Sequence, residues 1–511
     1  MGPSYYDVVV LGTGTGALVS GALLARRGFR VLLLGHDDLP ADHVHRGYRL
    51  PRSPFSVAGA EAPPARRILQ ELALTQVFRR RSTVQDPLFQ VVLPKHRIDF
   101  CADPDLRAAE LQREFPELTR PMDAFYQTLA RADADLEKIF ERDLVFPPEA
   151  FFERREVNRA LVQSPFGRRG VDGDPFAEMP EGHPFRAAVL AQARSVAGQD
   201  PDSMSPVELT RLHSLWSRGV RAVEGDHDGW RRLLFEKIQM HSGEVRERDR
   251  VEQVAVRRGK VVGVRIAGQD DPTGCQFVIV GGDAHAALSL LAEDVAGRRT
   301  AALRGLVRPK FLRYVVNVVL AAEGIPEGMA RDVFLVLDPA RPLVEDNLIR
   351  IQALGEETPS VRTLTAECLL PFARVVTEAG YVGSMRPRVV AALRTLVPFL
   401  DRHVRIVDSP HDGLPIQDLE RGEEVHPPEP WTRAPDRMEA VYETSASSVL
   451  GVTGLPIRLG VKGLLLAGPQ AVPGLGFEGL LLAAWSAARL VTKSDRKKEK
   501  MRREMWSKIE I

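Results

Sequence analysis

Residues 5–38 read YYDVVVLGTGTGALVSGALLARRGFRVLLLGHDD. Asp7-Val8-Val9-Val10-Leu11 is a short run of β-formers, the pattern of a strand buried in a parallel sheet. The turn Gly12-Thr13-Gly14-Thr15-Gly16-Ala17 follows and fits G-x-G-x-x-[G/A]. Gly12 permits the sharp exit from the strand, Gly14 lets the backbone approach a pyrophosphate, and Ala17 is small enough for helix and strand to pack closely. A helix then sets Leu18, Gly21, Ala22 and Ala25 toward the sheet, carries Arg26 and Arg27 in its last turn and stops at Gly28. Residues 29–34 make a second buried strand. This strand–turn–helix–strand frame predicts an α/β chain with a Rossmann-like domain, whose helix N-terminus offers free N–H groups to a phosphate. The fingerprint expects an acid at the tip of the second strand, to hold a ribose hydroxyl. That position is Gly35, and the residues after it are His36, Asp37 and Asp38.

The 511 residues have room for two large domains or three small ones. With 44% hydrophobic and 27% charged residues the composition is that of a soluble globular protein, and a net charge of +1 gives no pull toward nucleic acid. Cys101, Cys275 and Cys368 lie far apart, form no metal spacing and fit core roles in a reducing compartment. No leader pattern precedes the first strand, and no apolar run reaches the roughly 18 residues of a membrane span. Position 6 is Tyr6, so the start is not one for myristoylation. The expected location is the cytoplasm.

Further along, residues 89–94 and 97–100 form a hairpin around Lys95-His96. Met122, Phe125, Leu129, Leu136, Ile139 and Phe140 recur at helical spacing and mark a core helix. Ser205-Pro206-Val207-Glu208 opens another helix with a capping box. A helix over 230–241 leads to paired strands at 251–256 and 261–266, then to a buried strand at 277–280. Residues 311–321, 333–337, 347–354 and 361–370 read as half-buried strands of an antiparallel sheet. A helix over 385–399, a polar Pro-rich loop over 408–435, a buried strand at 461–467 and an apolar helix at 480–491 complete the chain.

These pieces, taken in order, resemble flavoproteins of the phytoene desaturase and amine oxidase group. Gly12-x-Gly14-x-x-Ala17 matches that group's flavin-adenine pyrophosphate loop, and QVVLPKHRIDF (residues 90–100) its following hairpin. Residues 225–243 with RGKVVGVRI and FVIVGGDAH resemble the middle return to the FAD domain, and GLLLAGPQAVPGLGFEGLLLAAWSAARLV the C-terminal motif that meets the flavin. The resemblance implies a Rossmann-like FAD-binding domain (residues 1–100, 225–290 and 455–492) with an inserted α+β substrate domain on an antiparallel sheet (101–224 and 291–454). It implies non-covalent FAD, with Gly12, Gly14, Gly16 and Ala17 at the pyrophosphate, Val251 offering backbone near the adenine, and Gly468, Gly474, Gly476 and Phe477 near the flavin.

Three departures weaken the expected hold on FAD. Gly35 replaces the ribose acid, residues 37–46 hold no Gly-Gly-Arg turn, and Gly468-Pro469 stands where the group has Gly-Asp. Pro469 offers neither a side-chain acceptor nor an N–H. His36 is the candidate to compensate at the ribose. A neutral strand end also suits NADP, with Arg46 or Arg49 on a 2′-phosphate, but the C-terminal motif argues against it. His36, His43 and His45 lie close in sequence without a metal pattern. The expected function is an FAD-dependent oxidoreductase acting on an apolar, isoprenoid-like substrate, with no catalytic acid or base nominated. The alternative is a flavin-free lipid- or protein-binding relative, as the Rab GDP-dissociation inhibitors are.

In the tail, residues 493–511, eight basic residues outnumber four acids, and Met501, Met505 and Ile509 recur at intervals of four beside Trp506. A basic helix with a thin apolar stripe suits peripheral contact with an anionic membrane; a solvated end is the competing expectation.

Overall fold

A computed structural model of the chain describes residues 5–36, 39–162, 174–293, 295, 297–355, 360–426 and 438–509. The first unit forms as its sequence dictates: strand β1 (Tyr5–Leu11), helix α1 (Thr15–Arg26) and strand β2 (Val31–Leu34). Every residue from Val8 to Leu11 and from Val31 to Leu34 is at most 1% exposed, as a strand covered on both faces must be. β1 lies parallel between β2 and the strand Thr273–Val280. Glu244–Arg246 extends the sheet in parallel beyond β2, and Leu464–Leu466 beyond Thr273–Val280. The antiparallel hairpin Val251–Arg257 and Lys260–Ile266 completes seven strands. α1 packs between the helices Asp226–Met240 and Gly476–Lys493, so distant segments close one layer over the sheet. By length and composition Pro473–Lys493 is apolar enough to cross a bilayer, but most of it is buried in the protein.

The second sheet has ten strands. Val307–Ala321, Val361–Pro371, Leu348–Gly355 and Asp332–Val336 form its antiparallel spine. The hairpin Phe89–Leu93 and His96–Phe100 joins it by parallel pairing to Asp332–Val336, although the sequence places these residues with the first domain. Packing explains the difference. Phe89 stacks on Phe100 at 4.4 Å and meets Phe334 edge-on at 5.6 Å and Trp216 at 5.8 Å, so its apolar surface is spent on the second core.

Strand alternation gives this sheet two unlike faces. Leu312, Tyr314, Val316 and Val318, with Leu364, Ala366, Cys368 and Leu370, pack against the helix Tyr381–Leu396. The opposite face carries Arg313, Asn317, Arg350, Gln352, Asp332, Thr365 and Glu367, all buried. They satisfy one another: Arg313 donates to Glu367 at 2.8 Å, Thr365 to Asn317 at 2.9 Å, and Arg350 to Asp332 at 3.2 Å.

Two ionic clusters tie the elements together. Arg211, on the capped helix Pro206–Arg218, donates twice to Glu478 at 2.8 and 2.6 Å and also binds Asp133 of the core helix Thr119–Phe140. Asp143 accepts from Trp485 at 3.1 Å, pairs with Arg489 at 2.9 Å and with Arg502 of the tail at 2.6 Å. The tail forms a helix, Arg496–Ile509. Its Lys498 lies 3.3 Å from Asp7 and 3.8 Å from the Phe29 ring centre, while Met501 is exposed. The side chains of Met505, Trp506 and Ile509 lie outside the described residues.

Candidate functional site

Between the glycine-rich turn and the polar face of the second sheet runs one cavity of about 890 Å³. Its near end is lined by Gly14, Thr15, Gly281, Gly282 and Asp283, its middle by Pro469, Pro473, Gly476 and Phe477. Arg313, Arg350, Glu367 and Glu439 line the far end.

The turn itself is shaped as expected. Gly12 has φ +96°, the left-handed region that its exit from β1 requires. Gly14 caps α1, and a Cβ there would touch only the Gly281 carbonyl at 3.7 Å, which leaves room for a ligand's approach. Ala17 presses on Gly281, where a Cβ would come within 2.3 Å of it. Arg231, from the helix Asp226–Met240, is 6% exposed and donates to Thr13 Oγ1 at 2.6 Å and to the Leu39 carbonyl at 3.2 Å. It brings positive charge to the loop that lacks the Gly-Gly-Arg turn, a residue the sequence reading missed. Arg46 pairs with Asp418 at 2.6 Å, and Arg49 with Asp42 at 2.6 Å, so both are engaged in ion pairs within the protein.

The adenosine end is arranged differently. His36 and Val251 meet, but with each other: the Val251 amide donates to His36 Nδ1 at 3.1 Å. Gly35 donates to the Arg246 carbonyl at 3.0 Å and His36 to the Asp249 carbonyl at 2.9 Å. A Cβ on Gly35 would fall 1.8 Å from the Glu247 carbonyl oxygen, so no acid fits at this strand tip without a backbone shift. His36 Nδ1 is thus engaged by the Val251 amide, and Asp37 and Asp38 lie outside the described residues. The glycine turn thus has the shape a pyrophosphate needs, whereas the strand tip at Gly35 and His36 is covered by the backbone of residues 246–249.

At the flavin end, Gly468 abuts the Gly282 carbonyl, which a Cβ would approach to 2.0 Å, and Gly476 takes φ +52° at the start of its helix. Gly474 faces away from the cavity, against the buried Glu208 of the capping box. Phe477 meets Phe55 at 6.3 Å, and Phe55 stacks on His227 at 4.9 Å. Burial, with Arg231 nearby, holds the His227 imidazole down at about 4, so it is neutral at pH 7. A flavin bound here would supply hydride acceptance, and Phe477, Phe55 and His227 would offer its ring an aromatic wall.

The far end is charged. Arg313 closes the C-terminus of the helix Pro184–Val196, donating to the Ser195 and Ala197 carbonyls at 2.6 Å each, and its charge is matched by Glu367. Glu439 is open to the cavity, and no hydrogen bond or ion pair reaches its carboxylate from the described residues. Desolvation by the surrounding protein pushes it above the usual carboxylate range, and Glu367 adds to this while Arg313 opposes it. Among the described residues no cluster of His, Cys, Asp or Glu is placed to hold a metal.

No family model matches the chain, and no curated protein matches it. Solved structures do. An oxidoreductase from Methanosarcina mazei is 16% identical, with a TM-score of 0.59 over 94% of this chain and 100% of its own. Putrescine oxidase bound to putrescine is 14% identical, with a TM-score of 0.59 over 95% of this chain and 99% of its own. Cyclohexylamine oxidase from Brevibacterium oxydans is 13% identical, with a TM-score of 0.54 over 96% of this chain and 99% of its own. The chain thus shares the fold of these three structures along nearly its whole length; at such identity the likeness is one of fold.

Proposed function

We propose that this protein is a flavin-dependent oxidoreductase whose substrate is polar and carries a cationic group. The observation that carries the reading is the cavity, whose lining includes Gly14 at the helix N-terminus, Phe477 and Glu439, a carboxylate that no hydrogen bond or ion pair reaches from the described residues. A carboxylate that lines the cavity, with no hydrogen bond or ion pair from the described residues, favours a ligand that brings a positive charge. The oxidases of similar fold, one named for cyclohexylamine and the other bound to putrescine, are consistent with an amine. The apolar, isoprenoid-like substrate expected from the sequence finds little support in a floor built of Arg313, Glu367, Arg350 and Glu439. A flavin-free binding role is supported by no feature of the cavity. The test is the absorption spectrum of the purified protein with added flavin, then anaerobic bleaching by a panel of amines and by their neutral alcohol analogues. Bleaching by amines that is lost at least tenfold in kcat/KM in Glu439→Gln supports the reading. Absence of flavin binding, or preference for the alcohols, overturns it.

A further inference from the structure

The tip of β2 is covered by the chain itself. The backbone from Arg246 to Asp249 wraps over Gly35 and His36 with two main-chain hydrogen bonds, at 3.0 and 2.9 Å. His36 sits at φ +53°, a strained angle for a side chain with a Cβ, and this angle accompanies the bond from the Val251 amide to Nδ1. By the flavoprotein resemblance that amide would face an adenine, whose ring nitrogens carry the same kind of lone pair. Accepting the bond also fixes the imidazole tautomer, with its proton on Nε2.

We propose that His36 is a built-in occupant of the adenine position, so that the site binds a flavin through its phosphate and ring and draws little affinity from adenosine. This rests on the flavoprotein reading for its ligand, but the shutter can be tested without a flavin. His36→Gly is the informative variant, because φ +53° suits glycine and the fold loses no backbone preference. FAD, FMN and ADP are titrated into wild type and variant, followed by flavin fluorescence and calorimetry. The expected result has three parts. Wild type binds FAD and FMN within about tenfold of each other and ADP not measurably. The variant gains at least tenfold for FAD and for ADP. Its FMN affinity stays within twofold.

FAD bound more than a hundredfold tighter than FMN by wild type, with that advantage lost in His36→Gly, overturns the proposal and makes His36 an adenosine ligand. ADP bound by neither protein also overturns it. ADP bound by the variant alone, with no flavin bound by either protein, supports the shutter while removing the flavoprotein reading. Melting curves within a few degrees of each other establish that both proteins are folded.

Discussion

A Cβ placed on Gly16 would stand 1.7 Å from the carbonyl oxygen of Ala467. The first turn of α1 and the end of the strand Leu464–Leu466 are therefore in backbone contact, although 451 residues separate them in the chain. Gly16 is held by packing, whereas Gly14, with 3.7 Å of clearance, is left open toward the ligand. Gly16→Ala should cost at least about 3 kcal/mol, because backbone rather than a flexible side chain must yield. Gly14→Val should leave the ligand-free melting temperature within a few degrees and weaken flavin binding more than tenfold. Thermal denaturation and flavin titration of the two variants separate these roles; equal melting points would contradict them.

Arg211 is fully buried and holds two carboxylates, Glu478 and Asp133, on different helices. Desolvation disfavours its charge, but Glu478 and Asp133 outweigh this and raise its affinity for the proton. Removing the cation strands both carboxylates. Arg211→Met should destabilise the protein by about 3–5 kcal/mol, and adding Glu478→Gln should recover part of the loss. Urea denaturation of the single and double variants measures it.

Stability should fall as the solution is acidified. Burial lowers the imidazoles of His213 and His411 to about 3 and of His227 to about 4, with Arg107, Arg52 and Arg231 respectively adding to the effect. Their unfolded values lie near 6.5. The unfolded chain therefore takes up more protons below that pH, so the stability present above pH 6.5 is lost progressively down to about pH 4 for His227 and about pH 3 for His213 and His411. Each imidazole contributes up to about 1.4 kcal/mol per pH unit. His213→Gln should flatten the pH dependence of the melting temperature by roughly one such contribution.

The tail helix is engaged with the body through Lys498 and Arg502, so its deletion should be felt there first. At Asp143 burial acts to raise the carboxyl, but Arg489 and Arg502 outweigh it and hold it well below the usual range. A chain ending at Thr492 should lose about 1–3 kcal/mol. Membrane contact by the exposed Met501 side predicts salt-sensitive co-sedimentation with anionic vesicles that the shortened chain lacks. Equal binding by both chains would remove the tail as an anchor.

The first unit was legible because its signals are local. A buried run, a glycine turn and an apolar helix lie within 30 residues, and the residues that make each element are neighbours. The capping box at Ser205 and Glu208 was readable for the same reason. The closure at His36 was not, since its partner amide at Val251 is 215 residues away and nothing in either segment names the other. The hairpin at 89–100 was recognised as a hairpin but set beside the wrong sheet, because strand patterning fixes an element's faces and not its neighbour. Glu439 escaped notice beside a stretch read as a surface loop. A signal for the polar floor was present: Arg313 and Asn317 fall four apart in the apolar strand FLRYVVNVVL, on one face of it.

The parallel sheet that opens at residue 5 receives its last strand, Leu464–Leu466, only near the end of the chain. During synthesis the amino-terminal unit must therefore wait, its central strand Thr273–Val280 presenting an unfilled edge, until more than nine-tenths of the polypeptide has left the ribosome. The second sheet, whose spine spans residues 307–371, can assemble earlier. Order of manufacture and order of completion thus run opposite to each other, and nascent chains stalled before residue 464 should recruit chaperones that bind open strand edges.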